Sequence, residues 1–208
     1  MKKIFFLGGG GLFKEHFYYV KEYINSKNLD FKISGIIENS NRTIDSFSKL
    51  KIFKENKIKP QKDIFLILSI GEIKKRITLI NKFKKFNFFK LIHPGSYVSS
   101  GAKIGKGCVV SPGAFVTGNA VLDDFNLLDN GSNVTHDCKI DKNNCFSPGS
   151  KILGYCRVGE NNFFGSSVVV IPKIKIGKNN IIGANSTVIN NIKNNSLIVG
   201  SPAKIKKK

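Results

Sequence analysis

Residues 133–156 read NVTHDC KIDKNN CFSPGS KILGYC, four blocks of six that each carry a large apolar side chain at the second position. The same step of six continues in both directions and gives sixteen consecutive apolar positions. These positions are Val98, Ile104, Val110, Val116, Leu122, Leu128, Val134, Ile140, Phe146, Ile152, Val158, Phe164, Val170, Ile176, Ile182 and Val188. Most residues that follow four places later are small or Asn. The two registers together predict a repetitive solenoid.

This double register is typical of a parallel β-helix. Each hexad supplies a short strand whose aliphatic side chain points into a narrow prism. It also supplies a corner that accepts a small side chain or an Asn in the left-handed region. Three hexads make one coil, so the repeat predicts about five coils stacked on each other. Cys108, Cys138 and Cys156 fall at the small positions, where burial is their expected role.

The composition changes near residues 91–95, which read LIHPG. Residues 1–90 hold 12 of the 17 Phe but only 6 of the 20 Gly. The change and the Pro-Gly pair predict two domains, 1–90 and 91–208, the second ending in a Lys-rich tail expected to be solvated. His93 at the junction is expected to be structural.

The first domain shows strands that alternate with helices. Apolar strands are predicted at 3–7, 32–37 and 63–68, and four glycines follow the first of them. Residues spaced four, three and four apart then form one apolar face of a helix: Phe13, Phe17, Val20 and Ile24. This alternation predicts an α/β, Rossmann-like small parallel sheet with ligands at the carboxyl ends of its strands.

The glycines at 8–11 lie where a strand meets a helix, so their amides and the helix N-terminus predict an anion site. They do not form a dinucleotide fingerprint, because Phe13 stands where that motif needs a small residue. We therefore expect a nucleotide-sugar diphosphate in preference to NAD, with Glu38 at the next strand end placed to contact a ribose or a sugar. A tight turn that needs flexible glycines is the alternative.

The net charge of +20 comes from 34 Lys and Arg against 14 Asp and Glu, and only three of the basic residues are Arg. The lysines are scattered through both halves, so we expect no nucleic-acid partner, since base readout favours Arg. No apolar run approaches the about 18–20 residues of a membrane span. The short apolar stretch after Lys3 does not predict a signal peptide, so a cytoplasmic location is expected.

One histidine follows the junction, His136, with Asp137 beside it. Because Val134 points inward, His136 is predicted to face out of the prism at a corner. A His next to a carboxylate can act as a general base whose tautomer and basicity the acid assists. One period of 18 residues later stands Gly154, which should stack beside His136 and whose amide could stabilise an oxyanion.

The hexads, the segment Thr135-His136-Asp137 and the ending Gly200-Ser201-Pro202-Ala203-Lys204 resemble the bacterial hexapeptide acyltransferases that modify sugars. With the glycine run at 8–11 in the first half, the chain is most similar to the subgroup of the sialic acid O-acetyltransferases and the bacillosamine-pathway UDP-amino-sugar N-acetyltransferase. The resemblance spans nearly the whole chain and implies a left-handed β-helix.

The resemblance also implies roles for individual residues. The matching histidine, His136, is the family's general base, and the acid beside it is Asp137 where the family usually has Glu. Family enzymes bind acetyl-CoA between neighbouring subunits of a homotrimer. The resemblance therefore implies a coenzyme site along Gly154, Ser166 and Ala184. It also implies a coenzyme contact near Cys145. The sugar-nucleotide site carried over from the family implies these residues: Gly8, Gly10, Gly11, Glu38 and Gly71.

The expected function is therefore acetyl transfer from acetyl-CoA to the amine of a UDP- or other nucleotide-linked amino sugar for surface glycan biosynthesis. His136 would take the proton in a ternary complex. O-acetylation of a sugar hydroxyl, such as that of sialic acid, and a non-catalytic sugar-nucleotide-binding scaffold remain open. No metal is expected, because a zinc hydrolase on this solenoid would need three histidines and the repeat contains one.

Overall fold

The computed structural model describes residues 1–206. The chain divides into two compact units, Met1–Leu91 and Ile92–Lys208. Lys207 and Lys208 of the predicted tail lie outside the described residues. No helix in the described part of the chain is long and apolar enough to cross a bilayer.

The first unit is a five-stranded parallel sheet with two helices. Its elements in chain order are β1 (Lys2–Leu7), α1 (Gly11–Ser26), β2 (Phe31–Ile37), β3 (Ile52–Phe53), β4 (Ile64–Leu68), α2 (Ile73–Lys82) and β5 (Asn87–Phe88). The strand order is β3-β2-β1-β4-β5, and every pairing is parallel. The carboxyl ends of β1, β2 and β4 therefore lie side by side at one edge.

The helix faces differ in detail from the apolar pattern. In α1 the buried residues are Phe13, His16 and Val20, whereas Phe17 and Ile24 are only partly buried. In α2 the buried residues are Arg76 and Leu79. Two polar side chains thus occupy core positions that hydrophobic periodicity could not detect, because it counts only apolar residues.

The second unit is a stack of two-residue strands at six-residue intervals. They are β6 (Leu91–Ile92), β7 (Tyr97–Val98), β8 (Lys103–Ile104), β9 (Val109–Val110), β10 (Phe115–Val116), β11 (Val121–Leu122), β12 (Leu127–Leu128), β13 (Asn133–Val134), β14 (Lys139–Ile140), β15 (Cys145–Phe146), β16 (Lys151–Ile152), β17 (Arg157–Val158), β18 (Phe163–Phe164), β19 (Val169–Val170), β20 (Lys175–Ile176), β21 (Ile181–Ile182) and β22 (Thr187–Val188). Each pairs in parallel with the strand 18 residues away, so three strands make one coil.

The strands form three faces of a prism. Face A holds β7, β10, β13, β16, β19 and β22, and face B holds β8, β11, β14, β17 and β20. Face C holds β6, β9, β12, β15, β18 and β21 and continues into β23 (Leu197–Val199) and β24 (Lys204–Lys206). The second residue of every strand from β9 to β22 is buried in one continuous core.

From Cys108 onward, the residues four places after each aliphatic are also buried, which shows that they point into the prism. Among them an asparagine column crosses four coils, because the Asn126 side-chain oxygen accepts the Asn144 amide N–H at 2.8 Å and the pattern repeats to Asn162 and Asn180. Each such bond satisfies a polar group that burial would otherwise penalise.

The expectation that these small positions also adopt the left-handed conformation is wrong, because the residue just before each of them adopts it. Positive φ values occur three places after the aliphatic, as at Asn143, Asn161 and Asn179. The small residue is therefore required by limited interior space, whereas the residue before it makes the sharp turn.

The C-terminal segment is not simply a free tail. Lys204–Lys206 forms an antiparallel pair with Leu197–Val199, although its side chains are exposed.

Candidate active site

His136 lies at the corner between face A and face B, after β13 and before β14, and its side chain is 53% exposed. Its Nδ1 lies 3.0 Å from Oδ2 of Asp137. Asp137 itself adopts a left-handed conformation with a φ of 59°. This turn lets two consecutive side chains face each other, a geometry that extended backbone does not allow.

Two glycines enclose His136 from the coils on either side. A Cβ at Gly154 would lie 2.5 Å from Cε1 and 2.6 Å from Nε2 of His136, and a Cβ at Gly118 would lie 2.5 Å from its Cβ. The imidazole therefore packs against bare backbone, and any side chain at Gly154 would displace it. Among the described hydrogen bonds the Gly154 N–H donates to none.

Tyr155 is a residue that the sequence reasoning missed. Its ring meets the His136 imidazole edge to face, with centroids 5.1 Å apart and an interplanar angle of 87°. The tyrosine side chain remains exposed, at 53%. A search for aromatic residues one 18-residue period from Asp137 could have found it.

The predicted coenzyme residues do not all lie near His136 within one chain. Ser166 and Ala184 follow β18 and β21, so both belong to the corner between face C and face A, across face A from His136. They are exposed and stack on adjacent coils, as the Asn185 N–H donation to the Ser166 carbonyl shows. Only Gly154 shares the corner of the histidine.

Cys145 does not fit the predicted coenzyme contact, because its side chain is only 2% exposed. The cysteines behind the histidine corner, Cys138 and Cys156, are fully buried, and hydrogen bonding to Cys156 raises the pKa of the Cys138 thiol. Burial of this kind leaves a thiol without the access that a nucleophile needs.

The first unit carries a pocket of about 650 Å³ at the carboxyl ends of its strands. All five predicted sugar-nucleotide residues line it: Gly8, Gly10, Gly11, Glu38 and Gly71. Parallel topology explains this convergence, because the loops after β1, β2 and β4 leave the same edge of the sheet.

The glycine loop is held by an acid. Glu38 Oε2 accepts the Gly9 N–H at 3.0 Å, and its Oε1 accepts a hydrogen bond from Arg42 at 2.8 Å. Only glycine fits at position 8, because the φ of Gly8 is 96° and a Cβ there would lie 2.5 Å from the side chain of Ile70. One amide of the expected anion site is therefore already occupied by a carboxylate.

The amides at the start of α1 remain available for an anion. Gly10 caps this helix without any side-chain hydrogen bond, and the first turn contains no acidic residue. A Cβ at Gly10 or Gly11 would meet nothing within 4 Å, so the space in front of the helix is open. The unpaired N–H groups and the helix dipole favour a negative group there.

Three charged residues of this pocket escaped the sequence reasoning. Glu72 and Lys75 line it and pair with each other at 2.8 Å, and Glu55 lines it while pairing with Lys82. Nothing in the sequence spacing links Glu55 to this edge, because it follows the two-residue strand β3.

His16 lies beneath this edge and is fully buried. Its Nδ1 lies 3.0 Å from Oγ of Ser69, and no partner for its Nε2 is described. Burial, assisted by the nearby Arg76 guanidinium, lowers the pKa of His16 to about 3. The imidazole is therefore neutral at physiological pH and belongs to the core.

His93 accepts the Gly95 N–H at its Nδ1 at 3.0 Å and is largely buried. In the described part of the chain, residues 1–206, no three His, Cys, Asp or Glu side chains come together as a metal site.

Residues 155–190 match the family model "Bacterial transferase hexapeptide (six repeats)". A comparison with curated protein sequences gave no match. Among solved structures, the acetyltransferase domain of PglB from Neisseria gonorrhoeae FA1090 is 25% identical, with a TM-score of 0.87 over 99% of this chain and 100% of that chain.

PerB from Caulobacter crescentus, solved in complex with CoA and GDP-perosamine, is 26% identical, with a TM-score of 0.86 over 100% of this chain and 98% of that chain. The expected resemblance to the hexapeptide-repeat sugar acyltransferases is confirmed. WeeI from Acinetobacter baumannii AYE, 22% identical over 99% of this chain and 100% of that chain with a TM-score of 0.88, shares the fold. The fold expectation, an α/β sheet followed by a left-handed β-helix, is confirmed, and the comparisons support an acyltransferase enzyme.

Proposed function

We propose that this acyltransferase moves an acetyl group from acetyl-CoA to the amine of a nucleotide-linked amino sugar, in the cytoplasm and for surface glycan biosynthesis. The observation that carries the proposal is the exposed His136–Asp137 pair facing the bare backbone of Gly154. The complexes of related structures with acetyl coenzyme A and with CoA support acetyl-CoA as the co-substrate.

The geometry suits general-base catalysis. With the Oδ2 of Asp137 accepting a hydrogen bond from the Nδ1–H of His136, the Nε2 lone pair is free to accept a proton from the attacking amine. The amine nitrogen bonds to the thioester carbonyl carbon, and the C–S bond then breaks as the sulfur leaves. His136 returns its proton to the thiolate, so no acyl-enzyme is needed. The free Gly154 N–H is our candidate donor to the oxyanion.

A homotrimer would unite the separated coenzyme residues. Face A lies between the His136 corner and the corner of Ser166 and Ala184. If three copies turned face A toward a common axis, the first corner of one protomer would meet the second corner of its neighbour.

Exposed apolar side chains on and beside face A support this assembly. Tyr97 and Phe115 are directly paired on β7 and β10, with ring centroids 6.2 Å apart, and both are about half exposed. Tyr155 and Ile189 add exposed apolar surface at the ends of face A strands. Exposed apolar surface of this kind favours burial in a subunit interface.

The pocket of the first unit is our site for the nucleotide-linked sugar. The start of α1 would take the diphosphate, and Glu38, together with the other carboxylates, would face hydroxyl or amine groups of the ligand. The GDP-perosamine bound to PerB, an amino-sugar nucleotide, supports this substrate class.

The test is thiol release from acetyl-CoA with a panel of acceptors: UDP- and GDP-linked amino sugars, free sialic acid, and buffer alone. Turnover confined to a nucleotide-linked amino sugar is the expected result. Turnover with sialic acid would replace the proposal by O-acetylation. A folded protein that binds nucleotide sugars yet releases no thiol with any acceptor would favour the scaffold.

A further inference from the structure

Tyr155 combines two features that are unfavourable at a turn of the solenoid. Its backbone is left-handed, with a φ of 64°, and its side chain is 53% exposed. A bulky side chain is disfavoured in the left-handed region, and an exposed aromatic ring leaves much of its apolar surface in water. Most left-handed residues of the described solenoid are Gly or Asn, which tolerate this conformation. Examples are Gly107, Gly113, Gly131, Gly149, Asn143, Asn161, Asn179 and Asn185.

Phe125 shows what stabilises an aromatic side chain at another turn of this kind. It has the same φ of 64° but is only 7% exposed, so burial of its ring offsets the unfavourable backbone. The ring of Tyr155 lacks that compensation. Core packing therefore accounts for the aromatic residue at position 125 but not for the one at position 155.

The ring of Tyr155 contacts the proposed base. Its centroid lies 5.1 Å from that of the His136 imidazole, and the two ring planes are 87° apart. The Tyr155 N–H also donates to the His136 carbonyl at 3.1 Å, which holds the two residues together on adjacent coils. Within residues 1–206 no hydrogen bond of the Tyr155 hydroxyl is described, so the aromatic ring supplies the contact.

The other neighbours of the imidazole fix its orientation only weakly. Among the hydrogen bonds and ring contacts of the described residues, the side-chain partners of His136 are Asp137 and Tyr155. The Asp137 side chain is 37% exposed, and a polar contact that water can reach is weak. Gly118 and Gly154 bring only backbone to His136. Tyr155 is therefore the largest group beside the imidazole that can restrict its rotation.

The orientation of a general base affects its rate. Nε2 of His136 must lie within hydrogen-bond reach of the attacking amine while Nδ1 stays near Asp137. The torsion that turns a histidine ring about its Cβ bond has broad energy wells, so a half-exposed imidazole rotates easily unless a neighbour restrains it. An imidazole that rotates spends less time in the reactive orientation. This lowers kcat without weakening substrate binding.

We propose that Tyr155 is a positioning residue, whose ring holds the His136 imidazole with Nδ1 toward Asp137 and Nε2 free for the amine. The role of His136 as the base rests on the proposed function. Tyr155 thus gives the base a fixed orientation at the cost of an unfavourable turn.

The test compares the wild type with Tyr155→Asn, Tyr155→Phe and Phe125→Leu. Asn suits the left-handed turn but removes the ring, whereas Phe keeps the ring. Phe125→Leu is the matched control, because it replaces an aromatic side chain at a left-handed turn between faces B and C, away from the His136 corner. For each protein we measure kcat, the KM of both substrates, the melting temperature and the oligomeric state.

Tyr155→Asn should lower kcat by about tenfold or more and leave each KM within about twofold. It should melt no lower than the wild type, because the turn is relieved. Tyr155→Phe should keep kcat within about twofold of the wild type. Phe125→Leu should melt about 2–6 °C lower but keep its kcat.

Several outcomes would overturn the positioning role. Normal kcat in Tyr155→Asn would show that the ring does not affect the base. A raised KM of the acceptor at unchanged kcat would make the ring a substrate contact. An equal loss of kcat in Tyr155→Phe would assign the effect to the hydroxyl. A lower melting temperature or a changed oligomeric state in Tyr155→Asn, or a loss of kcat in Phe125→Leu, would make the effect structural.

A measurement that needs no turnover separates this inference from the proposed function. The chain has three histidines, His16, His93 and His136, so the NMR ring signals of ¹³C-labelled histidine can be assigned with His136→Ala. In Tyr155→Asn the His136 signals should shift, because the ring current is lost, and their relaxation should show a more mobile ring.

Equal mobility of the His136 ring in the wild type and in Tyr155→Asn would overturn the positioning role even if acetyl transfer occurs. A ring that Tyr155→Asn makes mobile, in a protein that releases no thiol with any acceptor, would keep the hold of Tyr155 on His136 and overturn the proposed function.

Discussion

The two units of the chain assemble their candidate sites by different means. In the solenoid, residues 18 positions apart become neighbours, so His136 meets Gly118 and Gly154. In the α/β unit, the pocket combines loops after β1, β2, β3 and β4 that share no spacing. A repeat therefore converts sequence distance directly into spatial distance, whereas a parallel sheet does so only through its strand order.

The largest expected effect is a fall in kcat when the solenoid loses its proposed base, with no change in ligand binding by the first unit. Replacing His136 by Ala should lower kcat by about 10²–10⁴-fold, because the general base is lost. Binding of the nucleotide-linked sugar, measured by calorimetry, should be unchanged. Asp137→Asn keeps a residue that tolerates the left-handed backbone and should reduce kcat less. Near-full turnover by the His136→Ala protein, with its fold verified by circular dichroism, would show that His136 is not the general base.

The repeat itself can be tested with two adjacent residues of one strand. Phe164 is fully buried and stacks on Phe146 with ring centroids 4.7 Å apart, whereas Phe163 is the outward residue of β18. Phe164→Ala should cost about 3–5 kcal/mol of the free energy of unfolding. Phe163→Ala should cost about 1 kcal/mol, measured in urea. Equal losses would contradict the inward and outward alternation.

A pH titration tests the first unit. His16 has a folded-state pKa of about 3, below the value of about 6.5 that an unfolded chain has. Protonation therefore favours the unfolded state as the pH falls below about 6.5. At pH 5 it lowers the free energy of unfolding by about 2 kcal/mol. Above that pH the penalty is absent.

His16→Leu should accordingly lose less stability than the wild type between pH 7.5 and pH 5, as followed by urea unfolding. Ser69→Ala removes the hydrogen-bond partner but keeps the buried imidazole, so its pH dependence should resemble that of the wild type. The same pH dependence in all three proteins would show that His16 is not the group responsible.

The smallest effect concerns the turn position. Lys173 is exposed and has a φ of 67°, so Lys173→Gly should stabilise the solenoid by up to about 1 kcal/mol by relieving that conformation. Lys103→Gly, in an extended strand, should destabilise it by about 0.5–1 kcal/mol. Thermal unfolding of the two variants should shift in opposite directions, and a shift in the same direction would refute the assignment of the turn.

The sequence alone determined much of this protein. A step of six identified all sixteen strands from β7 to β22, because each two-residue strand must bury one large side chain in a narrow prism. The same arithmetic placed Gly154 beside His136. The glycines at 8–11 predicted an anion site at the carboxyl edge of the sheet, because they stand where a strand meets a helix.

Other features were decided only by the tertiary structure. Cys145 is buried although its strand position points outward, a property that depends on what packs around it. Glu38 accepts a hydrogen bond from the Gly9 N–H, a contact that the spacing of the two residues in the sequence does not predict. Burial removes the charge of His16, and burial is a property of the packed molecule that sequence periodicity does not measure.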